Sequence, residues 1–179
     1  KLGIRILNIS VGACSKRGMS ENSALVKGVN RAWDAGLVVV VAAGNNGPRT
    51  MSITTPGISR KVITVGCSDD DREVLVGGNR MVDYSGRGPT AACICKPDLV
   101  APGCSVVSCS SRADKYTIKS GTSMSTPIVS GAVALLLERF PDMTNKDVKL
   151  RLRESSVDIG LPRNQQGWGK FNCKKFLAL

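Results

Sequence analysis

Ser120-Gly121-Thr122-Ser123-Met124-Ser125-Thr126-Pro127 sets a serine between a glycine-containing turn and the start of a long apolar run. Free backbone N–H groups and the positive end of a helix dipole meet at such a start, so an oxyanion formed by attack of Ser123 on a carbonyl would be stabilised there. Ser and Thr are also preferred helix caps, and capping alone accounts for the cluster without chemistry. A second constellation shifts the balance. Val38 to Ala43 runs into Gly44-Asn45-Asn46-Gly47-Pro48, which presents a carboxamide at the end of a buried strand, a neutral donor able to hold an oxyanion without itself titrating. Asn-Gly and Gly-Pro are turn signals, but Asn46 and Gly47 satisfy that demand. In open α/β sheets functional groups gather at the carboxyl edge of the strands, where both segments would stand.

The elements that would carry these groups are legible on either side of them. Ile4 to Ile9 is a short apolar run that reads as a strand entering the loop Ser10-Val11-Gly12. From Ser20 onward Leu25, Val26, Val29, Ala32 and Trp33 recur at helical spacing, with Gly36 as a stop. Leu37 to Ala43 is wholly apolar and mostly β-branched, as a parallel strand covered on both faces requires. Lys61 to Gly66 and Pro97 to Pro102 add two short strands, with turns at Asp69 to Asp71 and Gly77-Gly78 between them. Ser125 to Phe140 is apolar nearly all round and predicts a buried central helix, with Pro127 tolerable only near its start. Pro141 ends it, and Thr144 with Asp147 resembles a capping box that opens a further helix to about Glu154.

Composition bounds the class of protein. The 179 residues fit one domain, and 19 glycines, 8 prolines and 4% aromatics favour short elements joined by tight turns over a helical bundle. A net charge of +11 raises the question of nucleic acid. The basic residues are scattered from Lys1 to Lys175 with few aromatics beside them to stack bases, so a solvated basic surface is the better reading. No segment approaches the roughly 20 apolar residues of a membrane span. The 7 cysteines cannot all pair within one chain. No CxxC pair or histidine completes a zinc set, and the expectation is small buried hydrophobes in a reducing, cytoplasmic compartment.

The segments around Ser123 and Asn45 together resemble the subtilisin-like serine proteases, in which Gly-Thr-Ser-Met surrounds the nucleophile and the oxyanion Asn follows Ala-Ala-Gly. The likeness extends to Ile6 to Gly12, similar to the family's strand and substrate loop, to Pro56 to Gly66, and to Tyr84 to Pro102 with its Lys-Pro-Asp-x-x-Ala-Pro-Gly segment. Gly167-Trp168-Gly169 fits as well. The resemblance covers essentially residues 1–179 and implies an α/β fold, a three-layer α/β/α sandwich with a parallel sheet, here the C-terminal part of a catalytic domain whose N-terminal strands are absent. It further implies Ser123 as nucleophile and Asn45 as oxyanion donor of a serine endopeptidase acting on polypeptides. Ser10, Val11 and Gly12 would form one wall of the substrate cleft, Ala42, Ala43 and Gly44 the other, with Thr122 beside the nucleophile. A cis bond at Thr55-Pro56 is expected on the same basis.

The chain departs from the family at one decisive point: it contains no histidine, and a serine without an adjacent base is a weak nucleophile. The family's triad runs Asp, His, Ser along the chain, so the first two are expected upstream of Lys1 and the isolated chain is expected to be inactive. Ile128 occupies a position where relatives usually carry a non-catalytic histidine, and Cys93 to Cys95 lie in an apparent insertion of no inferable role. A non-catalytic homologue acting as a peptide-binding or structural module is the competing reading. Carboxyl-type serine peptidases, with Glu in place of His, are disfavoured because they usually carry Asp at the position of Asn45. The family often binds calcium, but ligands of its main site fall partly outside this sequence and no EF-hand pattern occurs. Many relatives are secreted, the alternative to the compartment read from cysteines. The sheet edge left open at Ile4 to Ile9 is expected to promote self-association.

Overall fold

A computed structural model of the chain describes residues 3–13, 21–111 and 115–178. Its centre is a four-stranded parallel sheet built from β1 (Ile6–Ile9), β2 (Val38–Ala42), β3 (Ile63–Cys67) and β6 (Leu99–Ala101), in the order β1-β2-β3-β6. Every residue of β2, β3 and β6 is buried. Because alternate side chains point to opposite faces, this means that both faces are covered, and the run Val38-Val39-Val40-Val41 could sit nowhere else without exposing a valine. The long helix α2 (Thr122–Arg139) packs on all four strands. The helices α1 (Ala24–Asp34) and α3 (Asn145–Ser155) also contact β2.

Local sequence explains where these elements begin and end. Helix α1 is N-capped by Ser23, whose hydroxyl accepts from the Val26 N–H, and Gly36 takes the positive φ that follows its end. The proposed start at Ser20 lies outside the described residues. Thr144 and Asp147 form the expected capping box at α3, each side chain bonding the other's backbone N–H. Helix α2 starts at Thr122, ahead of the expected Ser125, which places Pro127 inside it. The ring removes the bond to the Ser123 carbonyl, a loss confined to the first turns. At the other edge, Pro97 and Pro102 cannot donate to a ladder, so the predicted strand contracts to Leu99–Ala101. Burial of Lys96 beneath this strand is offset by Asp98 at 2.5 Å and the Val62 carbonyl at 3.0 Å, and desolvation lowers its ammonium pKa to about 8.

Two antiparallel hairpins were not evident in the sequence: β4 (Val74–Val76) with β5 (Asn79–Met81), and β7 (Val106–Cys109) with β8 (Tyr116–Lys119). Gly77-Gly78 is the turn of the first, as expected. The Thr55-Pro56 bond is cis, as are the bonds to Pro48, Pro89 and Pro97. Two short helices, α4 (Arg163–Gln166) and α5 (Cys173–Leu177), complete the chain, and Phe176 from the latter is fully buried beside Phe171.

The cysteine expectation needs correction. Among the described residues Cys67 alone is a buried cysteine, Cys104 is half-buried, and Cys93, Cys95, Cys109 and Cys173 are exposed. The exposed four sit in loops, on a hairpin or on a terminal helix, where no layer lies over them. Among the described residues no helix is long and apolar enough to cross a membrane.

Candidate functional site

The carboxyl ends of β1 and β2 and the amino end of α2 meet at one edge of the sheet. Asn45 leaves β2 through Gly44, whose φ of +95° is costly for any residue with a Cβ. The Asn45 side-chain oxygen accepts two hydrogen bonds from Thr122, from its backbone N–H and from its hydroxyl, both at 3.0 Å. The same hydroxyl accepts the Gly44 N–H at 3.1 Å. Thr122 is fully buried, so the three bonds form a clamp anchored from the protein interior. With its oxygen committed, the carboxamide offers its NH2 as donor to the cavity that Asn45 and Ser123 both line. Gly121, at φ +137°, passes so close that an added Cβ would lie 3.2 Å from the Asn45 amide nitrogen.

Ser123 occupies the first turn of α2, where N–H groups have no intrahelical acceptor and the helix dipole is positive. Its hydroxyl donates to the Ser10 carbonyl at 2.8 Å. A peptide carbonyl accepts a hydrogen bond but does not take up a proton near neutral pH, so Ser123 is held as an intact hydroxyl. The loop that supplies this carbonyl is fixed from below: the Ser130 hydroxyl donates to Asn8 at 2.8 Å, and the Asn8 amide donates to the Ser10 hydroxyl at 3.0 Å.

Gly12, Ala42, Gly44, Asn45, Thr122 and Ser123 line a single cavity of about 210 Å³, together with Asn46 and Thr54. Ser10 contributes its carbonyl beside it. Val11 is 71% exposed, and Ala43 is fully buried with its carbonyl accepting the Thr54 N–H at 2.9 Å; neither lines the cavity. Thr54 was invisible to sequence reasoning because nothing in Thr54-Thr55-Pro56 marks chemistry. Yet a Cβ at Gly12 would fall 2.0 Å from its hydroxyl oxygen and one at Gly44 would fall 2.4 Å from its methyl. It therefore fills the space between the two glycines. Backbone pairing of Ala13 with Thr55 closes that side. The Ser130–Asn8–Ser10 relay was equally unmarked, since it joins residues from two elements.

Side chains that converge as candidate metal ligands, among the described residues, are Cys67, Asp69 and Cys104. Two thiols and one carboxylate do not suit calcium, a hard cation held by oxygen.

The serine at the start of an apolar helix and a clamped carboxamide thus share one cavity at the carboxyl edge of a parallel sheet. Comparison with known proteins places the chain within one group: residues 1–169 match the subtilase family, Peptidase_S8, and the chain belongs to that family. It is 40% identical to the serine protease AprX of Bacillus subtilis over 167 residues, covering 86% of this chain and 38% of the relative. It is 34% identical to subtilisin DY of Bacillus licheniformis over 160 residues, 88% of this chain and 52% of the relative. The chain thus spans between about a third and a half of the length of these two relatives. Among solved structures, sphericase matches with a TM-score of 0.75 at 30% identity, covering 94% of this chain and 57% of that one. The self-cleaved protease domain of PatA matches with a TM-score of 0.73 at 26% identity, covering 98% and 61%.

Proposed function

We propose that this chain is the C-terminal part of a subtilase catalytic domain that hydrolyses peptide bonds, with Ser123 as nucleophile and Asn45 as the side-chain donor of the oxyanion hole. The observation that carries it is the Thr122 clamp, which spends two donors on fixing the Asn45 oxygen and leaves its NH2 facing the cavity of Ser123. An extended peptide pairs with the backbone of Ser10–Gly12 on one side and lies against Ala42 and Gly44 on the other, held by backbone bonds that read no side chain. Its leading side chain enters the space bounded by Gly12, Gly44 and Thr54. The Ser123 oxygen bonds the scissile carbonyl carbon, and the carbonyl oxygen takes negative charge beside the Asn45 NH2 and the first-turn N–H groups. The serine proton passes to a base, which returns it to the departing amine; water then repeats the sequence on the acyl-enzyme.

That base is not in this chain, which has no histidine. It comes, with the carboxylate that orients it, from the segment of the domain that packs on the β1 side. Without that segment the proton stays on the Ser123 hydroxyl, hydrogen-bonded to the Ser10 carbonyl, and the chain is inactive. The same bond favours one second reading, a non-catalytic homologue that binds peptides in the same cleft.

The two readings separate with a fluorophosphonate probe, which reacts only with an activated serine. The full-length protein is expected to label, while Ser123→Ala full-length protein and this 179-residue chain remain unlabelled. A folded full-length protein that stays unlabelled would leave the peptide-binding module as the reading.

A further inference from the structure

Cys67 ends β3, and Cys104 follows β6 by way of Pro102-Gly103; these strands pair in parallel, with Cys67 opposite Ala101. The loop after β6 therefore returns Cys104 over Cys67. Asp69 completes a triangle with them. Its carboxylate accepts from the Cys67 thiol at 3.1 Å and from the N–H groups of Gly103 at 2.8 Å and Cys104 at 3.2 Å. The two sulfurs and a carboxylate oxygen all lie within 4.8 Å of one another. The buried Tyr84 hydroxyl stands 3.2 Å from each sulfur and donates to the Gly103 carbonyl at 3.2 Å. Cys67 is 3% exposed, whereas Cys104 and Asp69 reach the surface and leave a way in.

We propose that Cys67, Cys104 and Asp69 form a binding site for a thiophilic divalent cation of the Zn²⁺ type. Two sulfurs and one oxygen are donors that a borderline-soft ion takes in tetrahedral geometry, with solvent as the fourth ligand. On binding, each thiol releases its proton to solvent and the cation takes its place between the sulfurs. The carboxylate distinguishes this from a simple thiol pair, because it sets a third, anionic donor beside the two sulfurs. Gly103 lies between the site and the nucleophile helix: its carbonyl accepts the Gly121 N–H at 2.9 Å. A bound ion would thus brace the turn that precedes Thr122. The inference rests on the thiol–carboxylate geometry and stands apart from any role of Ser123.

Cadmium is the probe, because its thiolate charge-transfer band in the ultraviolet reports sulfur coordination directly. The titrated protein is the Cys14→Ser, Cys93→Ser, Cys95→Ser, Cys109→Ser, Cys173→Ser variant, in which Cys67 and Cys104 are the cysteines that remain. Titration of the reduced chain with Cd²⁺ is expected to saturate at one ion per chain. Cys104→Ala and Asp69→Asn are each expected to weaken binding by about tenfold or more, with far-UV circular dichroism confirming the fold; Cys104, half-exposed, is the substitution the fold tolerates best. A chain that shows no saturable band, or equal affinity in both variants, overturns the site. Loss of both thiols to diamide in a chain that takes up no Cd²⁺ would identify a redox thiol pair instead.

Discussion

At Asn45 the anchored end of the side chain is its oxygen, so the direction of its NH2 is set by Thr122 rather than by Asn45 itself. Asn45→Ala in the complete protein is expected to lower kcat by about 100- to 1000-fold with little change in KM; that range is the one established for removing such a donor in subtilisin, not a figure deduced from this geometry. Thr122→Val keeps the carboxamide but removes one of its two bonds, and a smaller loss, again in kcat, is expected from steady-state kinetics. Thr54→Gly opens the space between Gly12 and Gly44, so kcat/KM for substrates with a large apolar side chain should rise relative to small ones by roughly tenfold or more, the scale of one or two methylenes. That Ser123 and Asn45 would meet at one sheet edge could be read from the sequence, because each lies in a run whose neighbours fix its setting. Thr54 and the Ser130–Asn8 relay could not, because their roles arise only when separate segments close on one another.

Among elements, the strands and helices of the buried sheet were legible wherever hydrophobic period and stop signals agreed, as in Val38–Ala42 and in the capping box of α3. The hairpins were not, because β4, β5, β7 and β8 are three or four residues long and largely exposed, too short to show an alternation. The α3 cap gives a pH test. Hydrogen bonds from the Thr144 hydroxyl and backbone hold the Asp147 carboxyl below its ordinary range. A group whose folded pKa is depressed stabilises the fold above its unfolded pKa and loses that contribution as pH falls through the folded one. The urea midpoint of the native chain should therefore exceed that of Asp147→Asn at pH 7, and the gap should close as pH drops below about 4. A gap that persists at acid pH would show that the box acts through something other than charge.

At the scale of the whole molecule, the parallel sheet is open along β1 among the described residues. β1 pairs only with β2, and its outer ladder groups face no further strand among the described residues. Ile4 is exposed, and Ile6, Leu7 and Ile9 are only partly covered. An open edge with apolar side chains invites another chain. Light scattering of the isolated chain is expected to show a mass that rises with protein concentration; a monomer at all concentrations would remove the edge from consideration. The net charge of +11 opposes such contacts, so association should strengthen with added salt. The seven-residue reach from Ile4 to Ser10 carries a last consequence. The strand that awaits a neighbour is also the strand whose end holds the Ser123 proton, through the Ser10 carbonyl. On the proposed function, docking and arming would be one mechanical event, as in a latch whose bolt and trigger are cut from the same bar. If the complementary segment is supplied as a separate polypeptide, hydrolysis should follow second-order kinetics in the two pieces, and turnover would count their encounters.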